Sequence, residues 1–459
     1  MPKNRSEYIC QQCGYRSPSY LGKCPECGSW GSLVESVISS SSYSKTNLNL
    51  SNSGVIEPQS LTKVKSSVVE RVSTGISELD RVLGITQADS KKLLTGIVPG
   101  SVIMLAGEPG IGKSTLLLQI SVSMASKYNP KSDSPIGVLY VSAEESAEQV
   151  KLRAQRLGKI PEPLFILAET NVDAVVGVIQ KYKPKLVIID SIQTVATLDL
   201  ESSPGSVGQV RESASRLHRV AKENHVSLII VGHVTKEGSI AGPKTVEHLV
   251  DCVLSLEGEE FRQLRILRSL KNRFGSTFEV GVFEMTERGL EEVKNPSVLF
   301  LANRVVKAPG SVVVPTMQGS RPILTEIQAL TTPTPFGMPK RVVTGVDYNR
   351  VQMLVAVLAK RAGVDLSNSD IFVNAAGGLK IVEPAADLAI AVSLASAAKG
   401  KPVDSKLIAL GELGLLGELR PVGNLAPRIK EAKKLGFSKF LTFAKTKSIG
   451  DAVRLAIGA

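Results

Sequence analysis

Residues 101–125 read SVIMLAGEPGIGKSTLLLQISVSMA. An apolar run, SVIMLA, leads into a glycine-punctuated turn and then into a second apolar stretch with helical character. From Gly107 to Ser114 the turn fits G-x-x-x-x-G-K-[ST]. A strand before this motif and a helix after it are the context that gives it meaning. In that context the backbone N–H groups of the loop and of the helix N-terminus point at phosphate oxygens. Gly107, Glu108, Pro109, Gly110, Ile111, Gly112, Lys113, Ser114 and Thr115 are therefore expected to hold ATP. Lys113 reaches the β- and γ-phosphates, and the Ser114 hydroxyl binds Mg2+.

Working outward, three further apolar runs end on polar residues. They are GVLYVSAE (137–144), KLVIIDS (185–191) and VSLIIVGH (226–233). Their near-continuous apolar character suits a parallel sheet covered on both faces. The alternation of such runs with helical patterns makes residues 69–290 an α/β domain. Asp190 ends one strand, where a carboxylate sits near the Mg2+ of a P-loop site. Glu144 and Glu145 end another, and either could orient and deprotonate the attacking water; the plain alternative is that both cap the next helix. His233 ends a third and could sense the γ-phosphate, or be structural.

Cys10, Cys13, Cys24 and Cys27 form two C-x2-C pairs, each followed by a glycine. Four thiolates make a closed tetrahedral shell, so residues 1–35 are expected to bind a structural Zn2+. A redox-active pair is the main rival. Cys252 lies in the apolar run HLVDCVLSL and is expected in the core. Residues 36–68, opening SVISSSSYSKTNLNLSNS, have the composition of a flexible linker. Residues 291–459 hold a second α/β mixture with an Ala-rich helical stretch, EPAADLAIAVSLASAAKG.

The chain has 459 residues, of which 43% are hydrophobic, enough for two or three domains with real cores. Lys plus Arg number 55 against 43 acids, and the excess of +12 favours a polyanionic partner. The N-terminus carries no signal-like apolar core, and no long apolar run spans a membrane. Clustered cysteines do not form a secreted disulfide framework. A cytoplasmic address without membrane contact is the expectation.

STGISELDRVLG, GEPGIGKST, LVIIDSIQT and GHVTKEGSIAGPKTVEHLVD, with the four-cysteine knuckle, KNRFG and EPAADLAIA in the same order, resemble the RadA (Sms) family of bacterial recombination and DNA-repair ATPases. The resemblance runs over nearly the whole chain. It implies a RecA-like P-loop ATPase core with an N-terminal four-Cys zinc knuckle, a hexameric ring, DNA-stimulated hydrolysis and a role in extending heteroduplex DNA. It makes Glu144 the preferred catalytic carboxylate. GITQADSKKLLTGIVPG, before the P-loop strand, looks longer than the family's usual link and is expected to be a surface loop without effect on chemistry.

The C-terminal region resembles a Lon protease-like α/β domain through EPAADLAIA and GELGLLGELRPVGNLAPRIKEAKKLGF. Ala385 stands where the resemblance places the serine, and Ala426 where it places the lysine. A Ser–Lys dyad needs a hydroxyl and an amine, so this domain is expected to be proteolytically inactive and to serve assembly and DNA binding. Ser393 and Lys430 fall outside the matched positions.

SLKNRFGST (269–277) places Lys271 and Arg273 two apart. On a strand such residues share a face, so both could reach one anion. The segment resembles the K-x-R-x-G strand of DnaB-type ring helicases, which implies contact with a neighbouring subunit's γ-phosphate. A surface cation pair and direct contact with DNA phosphate are the alternatives. Arg211, Lys236 and Lys244, in loops after the third and fourth core strands, are expected to meet DNA in the ring channel. The chain is thus expected to be a DNA-dependent ATPase acting on single-stranded and branched DNA beside a RecA-type recombinase. An ATP-dependent protease and a nucleotide-switched adaptor are the alternatives.

Overall fold

The computed structural model describes residues 5–10, 15–26, 28, 30, 31, 33–38, 60, 71–89, 92–129, 134–233, 246–258, 263–334 and 337–458. They divide into two compact units, Met1–Glu292 and Val293–Ala459. The stretch read as a linker, 36–68, lies mostly outside the described residues, and its first three residues close the strand Leu33–Ile38. That strand pairs antiparallel with Arg5–Cys10, which also pairs with Arg16–Ser17.

The P-loop unit is built on nine strands: β1 (Val102–Gly107), β2 (Val138–Ser142), β3 (Leu164–Ala168), β4 (Leu186–Asp190), β5 (Ser227–His233), β6 (Cys252–Glu257), β7 (Leu264–Asn272), β8 (Val280–Thr286) and β9 (Gly289–Glu292). Their order across the sheet is β9-β8-β7-β6-β1-β5-β4-β2-β3. From β6 to β3 the pairings are parallel, and from β6 to β9 they are antiparallel. The four apolar runs read from the sequence are β1, β2, β4 and β5. Every residue of β1 is buried, as a parallel strand covered on both faces requires.

The helices α1 (Ser77–Leu83), α2 (Lys113–Ser126), α3 (Ala147–Arg156), α4 (Val172–Tyr182) and α5 (Val207–Asn224) lie between these strands or before them. Their starts are written locally. Ser146 and Gln149 form a reciprocal capping box on α3, while Asn171 and Ser206 accept from the first turns of α4 and α5. Such caps are each worth about 1 kcal/mol. Leu116, Leu117 and Leu118 of α2 are all buried, so this helix packs on more than one face.

The segment expected to be a surface loop before the P-loop strand is instead a β-hairpin, Ile85–Asp89 paired antiparallel with Lys92–Thr95. Its base is fastened by the buried Arg71, which donates to Leu83 O (3.2 Å), Gly96 O (3.0 Å), Thr86 Oγ1 (2.8 Å) and Phe274 O.

The second unit has a mixed six-stranded sheet. Its strands are β10 (Ser311–Gln318), β11 (Arg321–Pro333), β12 (Arg341–Thr344), β13 (Ser369–Ala375), β14 (Leu407–Leu410) and β15 (Lys439–Thr442), in the order β12-β13-β11-β10-β14-β15. Around it lie α6 (Tyr348–Ala362), α7 (Asp387–Lys399), α8 (Leu425–Lys434) and α9 (Ile449–Ile457). The Ala-rich stretch forms α7, whose residues 387–396 are all buried. Small side chains let a helix sit inside a core on every side.

Candidate active site

The site sits where the parallel strands end. In register, Gly107 of β1 lies opposite His233 of β5, and Ser142 of β2 lies opposite Asp190 of β4. Parallel α/β sheets bind ligands at this carboxyl edge. Gly107, Gly110 and Gly112 all have positive φ. A Cβ on Gly112 would stand 2.5 Å from Met285 Cε, and none within 4 Å would meet one on Gly110. The loop therefore leans on β8 with one glycine and opens outward with another.

Lys113 starts α2 and is 5% exposed. Its ammonium donates to Gly107 O (2.7 Å) and Glu108 O (2.8 Å). Burial lowers its pKa, while the negative charges of Asp190, Glu144 and Glu108 hold the proton on. Two carbonyls inside the loop are weak partners for a buried cation, and phosphate oxygens are stronger ones.

Asp190 accepts from the Tyr140 hydroxyl at 2.5 Å, and burial together with that carboxylate raises the Tyr140 pKa well above its usual value. Glu144 accepts from the Ser191 hydroxyl. Its neighbour Glu145 is turned to α3, where Arg153 Nη2 stands 2.6 Å from its carboxylate. The two glutamates left open by the sequence thus have different surroundings: Glu144 is near Lys113 and bonded to a hydroxyl, and Glu145 is paired with a guanidinium. Tyr140, Ser191 and Arg153 had no part in the sequence reading. A tyrosine inside an apolar strand and a serine directly after Asp190 are signals that could have marked the first two. The donor set of Ser114 and Asp190 is all oxygen, which fits Mg2+.

Lys271 and Arg273 have different partners within the chain. Strand β7 ends at Asn272, so Arg273 lies just beyond its last residue. Lys271 Nζ donates to Glu247 O (2.5 Å) and Val250 O (2.9 Å), and so caps a helical turn. Arg273 pairs with Asp251 at 3.3 Å and keeps 53% of its side chain exposed. The acid that the sequence did not show beside the pair arrives from 22 residues away.

Arg273 is also at the wrong end of the sheet for its own nucleotide. It lies level with Asp251, just before β6, whereas Gly107 pairs with Leu256. Five residues of strand separate the two levels, roughly 17 Å at about 3.3 Å each. That exceeds the length of an arginine side chain.

Arg211 lies exposed in α5 and not in a loop. Lys236 and Lys244 lie outside the described residues, as do Cys13 and Cys27. Cys10 and Cys24 are each 1% exposed and pack together with Leu33. Gly28 has φ +72° and donates to Cys24 O, a knuckle turn of the expected kind. The thiolate donor set fits zinc. Cys252 is buried in β6, where burial pushes its thiol up to about 12.

In the second unit Ala385 is buried in a short 3-10 turn, and Ala426 is exposed on α8. Ser393 is fully buried and donates to Ile390 O within its own helix, and Lys430 is exposed on α8. Around Ala385 stand two ion pairs. Arg428 meets both oxygens of Glu383 at 2.7 and 2.5 Å, and Arg350 meets both oxygens of Asp387 at 2.5 Å. No hydroxyl–amine pair occupies the matched positions.

Residues 70–239 match the family described as AAA domain, residues 8–35 that described as Rubredoxin metal binding domain, and residues 334–445 that described as Subunit ChlI of Mg-chelatase. The chain is 49% identical to the DNA repair protein RadA of Halalkalibacterium halodurans over 415 residues, 90% of this chain and 87% of that protein. It is 50% identical to the protein of the same name from Streptococcus pyogenes serotype M1 and 48% identical to that of Bacillus subtilis, each over 90% of this chain and 87% of the relative. The fold is thus a RecA-like P-loop ATPase with an N-terminal zinc ribbon and a C-terminal Lon-like domain, and with identity near one half sustained over nine-tenths of its length the chain belongs to the RadA family of DNA repair ATPases.

Proposed function

We propose that this DNA repair ATPase works as a head-to-tail hexameric ring, stimulated by single-stranded DNA, that extends heteroduplex and migrates branches in recombinational repair. One observation carries the ring: the P-loop and Arg273 lie at opposite ends of the same sheet, roughly 17 Å apart in strand length. A guanidinium so placed serves a neighbour's nucleotide, and a head-to-tail ring supplies a neighbour to every site.

In this reading Lys113 releases the loop carbonyls and takes the β- and γ-phosphates. Ser114 and Asp190 would hold Mg2+, which would supply positive charge against the phosphates. Glu144, kept in place by Ser191, orients the attacking water and accepts its proton. Arg273 from the next subunit meets the charge that develops on the γ-phosphoryl group. Lys271 holds the turn behind it. An arginine supplied in trans is worth about 10³–10⁵ in rate. DNA enters by phosphate contacts, with Arg211, Lys236 and Lys244 as the candidate cations. A RecA-type recombinase is the expected partner, and the cytoplasm the expected location. Among the described residues no helix is long and apolar enough to cross a membrane.

Two experiments test this. ATPase activity is measured with and without single-stranded DNA, at low and moderate salt. Strong stimulation and a steep loss of DNA affinity with salt are expected; hydrolysis indifferent to DNA would favour a nucleotide-switched adaptor. Second, Lys113→Ala and Arg273→Ala proteins are mixed with two tags that report co-assembly. In random equal rings roughly one interface in four joins an intact P-loop to an intact Arg273, so activity should recover well above either parent. Mixed rings as inactive as the parents would leave DNA contact as the role of Arg273.

A further inference from the structure

We propose that Asp251 is the positioning residue for Arg273, fixing its guanidinium to the sheet so that it can be presented to the neighbouring nucleotide. The proposal rests on the cross-subunit role of Arg273 given above.

Asp251 is the lone acid between His248 and Leu256, in a run of otherwise mostly apolar residues. Its side chain is 4% exposed. The carboxylate accepts from Val102 N at 2.9 Å and from Lys222 Nζ at 2.6 Å, besides Arg273 Nη1. Its backbone also donates to Val102 O and accepts from Arg273 N, at 2.9 and 3.0 Å. Burial alone would raise its pKa, but hydrogen bonds from Lys222 and Val102 N hold it below the ordinary value. Val102 opens β1, the strand that runs into the P-loop. The arginine offered to one nucleotide is thereby bolted to the strand that carries another.

The charge arithmetic suits presentation better than neutralisation. Two cations, Lys222 and Arg273, share one carboxylate, so a positive charge remains. Arg273 spends one terminal nitrogen on Asp251, whereas Arg428 and Arg350 spend two on their acids. Nε and Nη2 of Arg273 stay available for a two-point contact with phosphate, the geometry in which a guanidinium binds it best. The turn below is clamped as well. Asn272 Nδ2 donates to Leu83 O at 3.0 Å, Arg71 holds Phe274 O, and a Cβ on Gly275 would stand 3.1 Å from Gly84 Cα. The backbone of Arg273 is set by α1 and the hairpin, and its head by Asp251.

Asp251→Asn keeps an oxygen for Val102 N and removes the charge. Its DNA-stimulated kcat should fall about 10–100-fold, by analogy with the residues that orient a metal ligand from behind. Binding of an ATP analogue to its own P-loop should not change. The double variant Asp251→Asn/Arg273→Ala should be no slower than Arg273→Ala alone. In mixed rings Asp251→Asn should be rescued by Lys113→Ala and not by Arg273→Ala. Asp251→Glu, which keeps the charge one methylene further out, should recover part of the loss and serves also if the Asn variant folds poorly. Wild-type kcat in a folded Asp251→Asn protein, or a double variant slowed by the full Asp251 factor beyond Arg273→Ala, would overturn the proposal. Failure of Lys113→Ala and Arg273→Ala to rescue one another would instead overturn the cross-subunit reading on which it stands.

Discussion

At the P-loop, charged side chains are held by neutral groups: Lys113 by two carbonyls, Asp190 by a phenol, Glu144 by a hydroxyl. Around Ala385 in the second unit, charges are held by opposite charges, Arg428 by Glu383 and Arg350 by Asp387, each through two nitrogens. The two regions have similar burial and opposite chemistry. A buried ion that waits for a ligand must have partners it can leave, and a neutral partner is cheaper to leave than an ionic one. An ion pair that saturates both partners closes a site. The difference is the one expected between a site that takes a ligand and a set of contacts that holds a domain together.

The four-cysteine segment is the limiting case of groups whose partner is not protein, and there the largest effect is expected. Chelating the metal should remove on the order of 10 kcal/mol from the folding of residues 1–35 and leave the main thermal transition in place. Calorimetry with and without a chelator checks this, and a drop in the main transition would mean that the ribbon and the ATPase fold as one.

Breaking a closed pair comes next. Arg428→Ala leaves Glu383 without its guanidinium and should destabilise the second unit by about 3–5 kcal/mol, with ATP-analogue affinity unchanged. Replacing both partners by apolar residues of similar size should restore most of that loss, since paired removal leaves no orphaned charge. Denaturant melts of the single and double variants decide it; equal damage in both would mean that the pair is not the cause.

Lys113→Ala should do the reverse. It should cut kcat by about 10²–10³ or more, some 3–4 kcal/mol of barrier, at little cost in thermal stability, because it removes a buried cation whose hydrogen bonds go to two loop carbonyls and not to a carboxylate. Near-normal turnover would reject the P-loop assignment.

The smallest effects sharpen the contrast at single residues. Glu145→Gln breaks a half-exposed pair with Arg153, worth about 1 kcal/mol or less, and should leave kcat close to wild type, whereas Glu144→Gln should lower it about 10²-fold or more. Equal loss in both would erase the distinction drawn from Ser191 and Arg153. No cleavage of unfolded protein is expected from the second unit, and activity that survives Lys113→Ala but is lost on changing Ser393 would contradict the closed-site description.

Much of this was legible because it is local. Gly107 to Ser114 needs its loop conformation and its helix start within one short stretch, so spacing alone identifies it. The apolar runs that became β1, β2, β4 and β5 are buried on both faces and carry their own signature. Other parts depend on partners far along the chain. The segment before the P-loop strand reads as a loop because it looks longer than the family's usual link, yet its two halves pair as a hairpin whose base is held by Arg71, which also reaches Phe274, 203 residues on. The alternation argument let Lys271 and Arg273 reach one partner, whereas the fold brings two backbone carbonyls to Lys271 and the carboxylate of Asp251 to Arg273.

The sequence by itself determined the chemistry available here: a phosphate loop, acids at the ends of two other apolar strands, four thiolates, and alanines where a serine and a lysine would be needed. It could do so because each depends on residue type at short spacing. Only the tertiary structure decided which acid faces Lys113 and which faces Arg153. Only it brought Asp251 under Arg273, across 149 residues from Val102, and set that arginine at the far end of the sheet from its own P-loop. Strand order and register are fixed by the packing of the whole sheet, and the distance between two functional groups is a property of that packing.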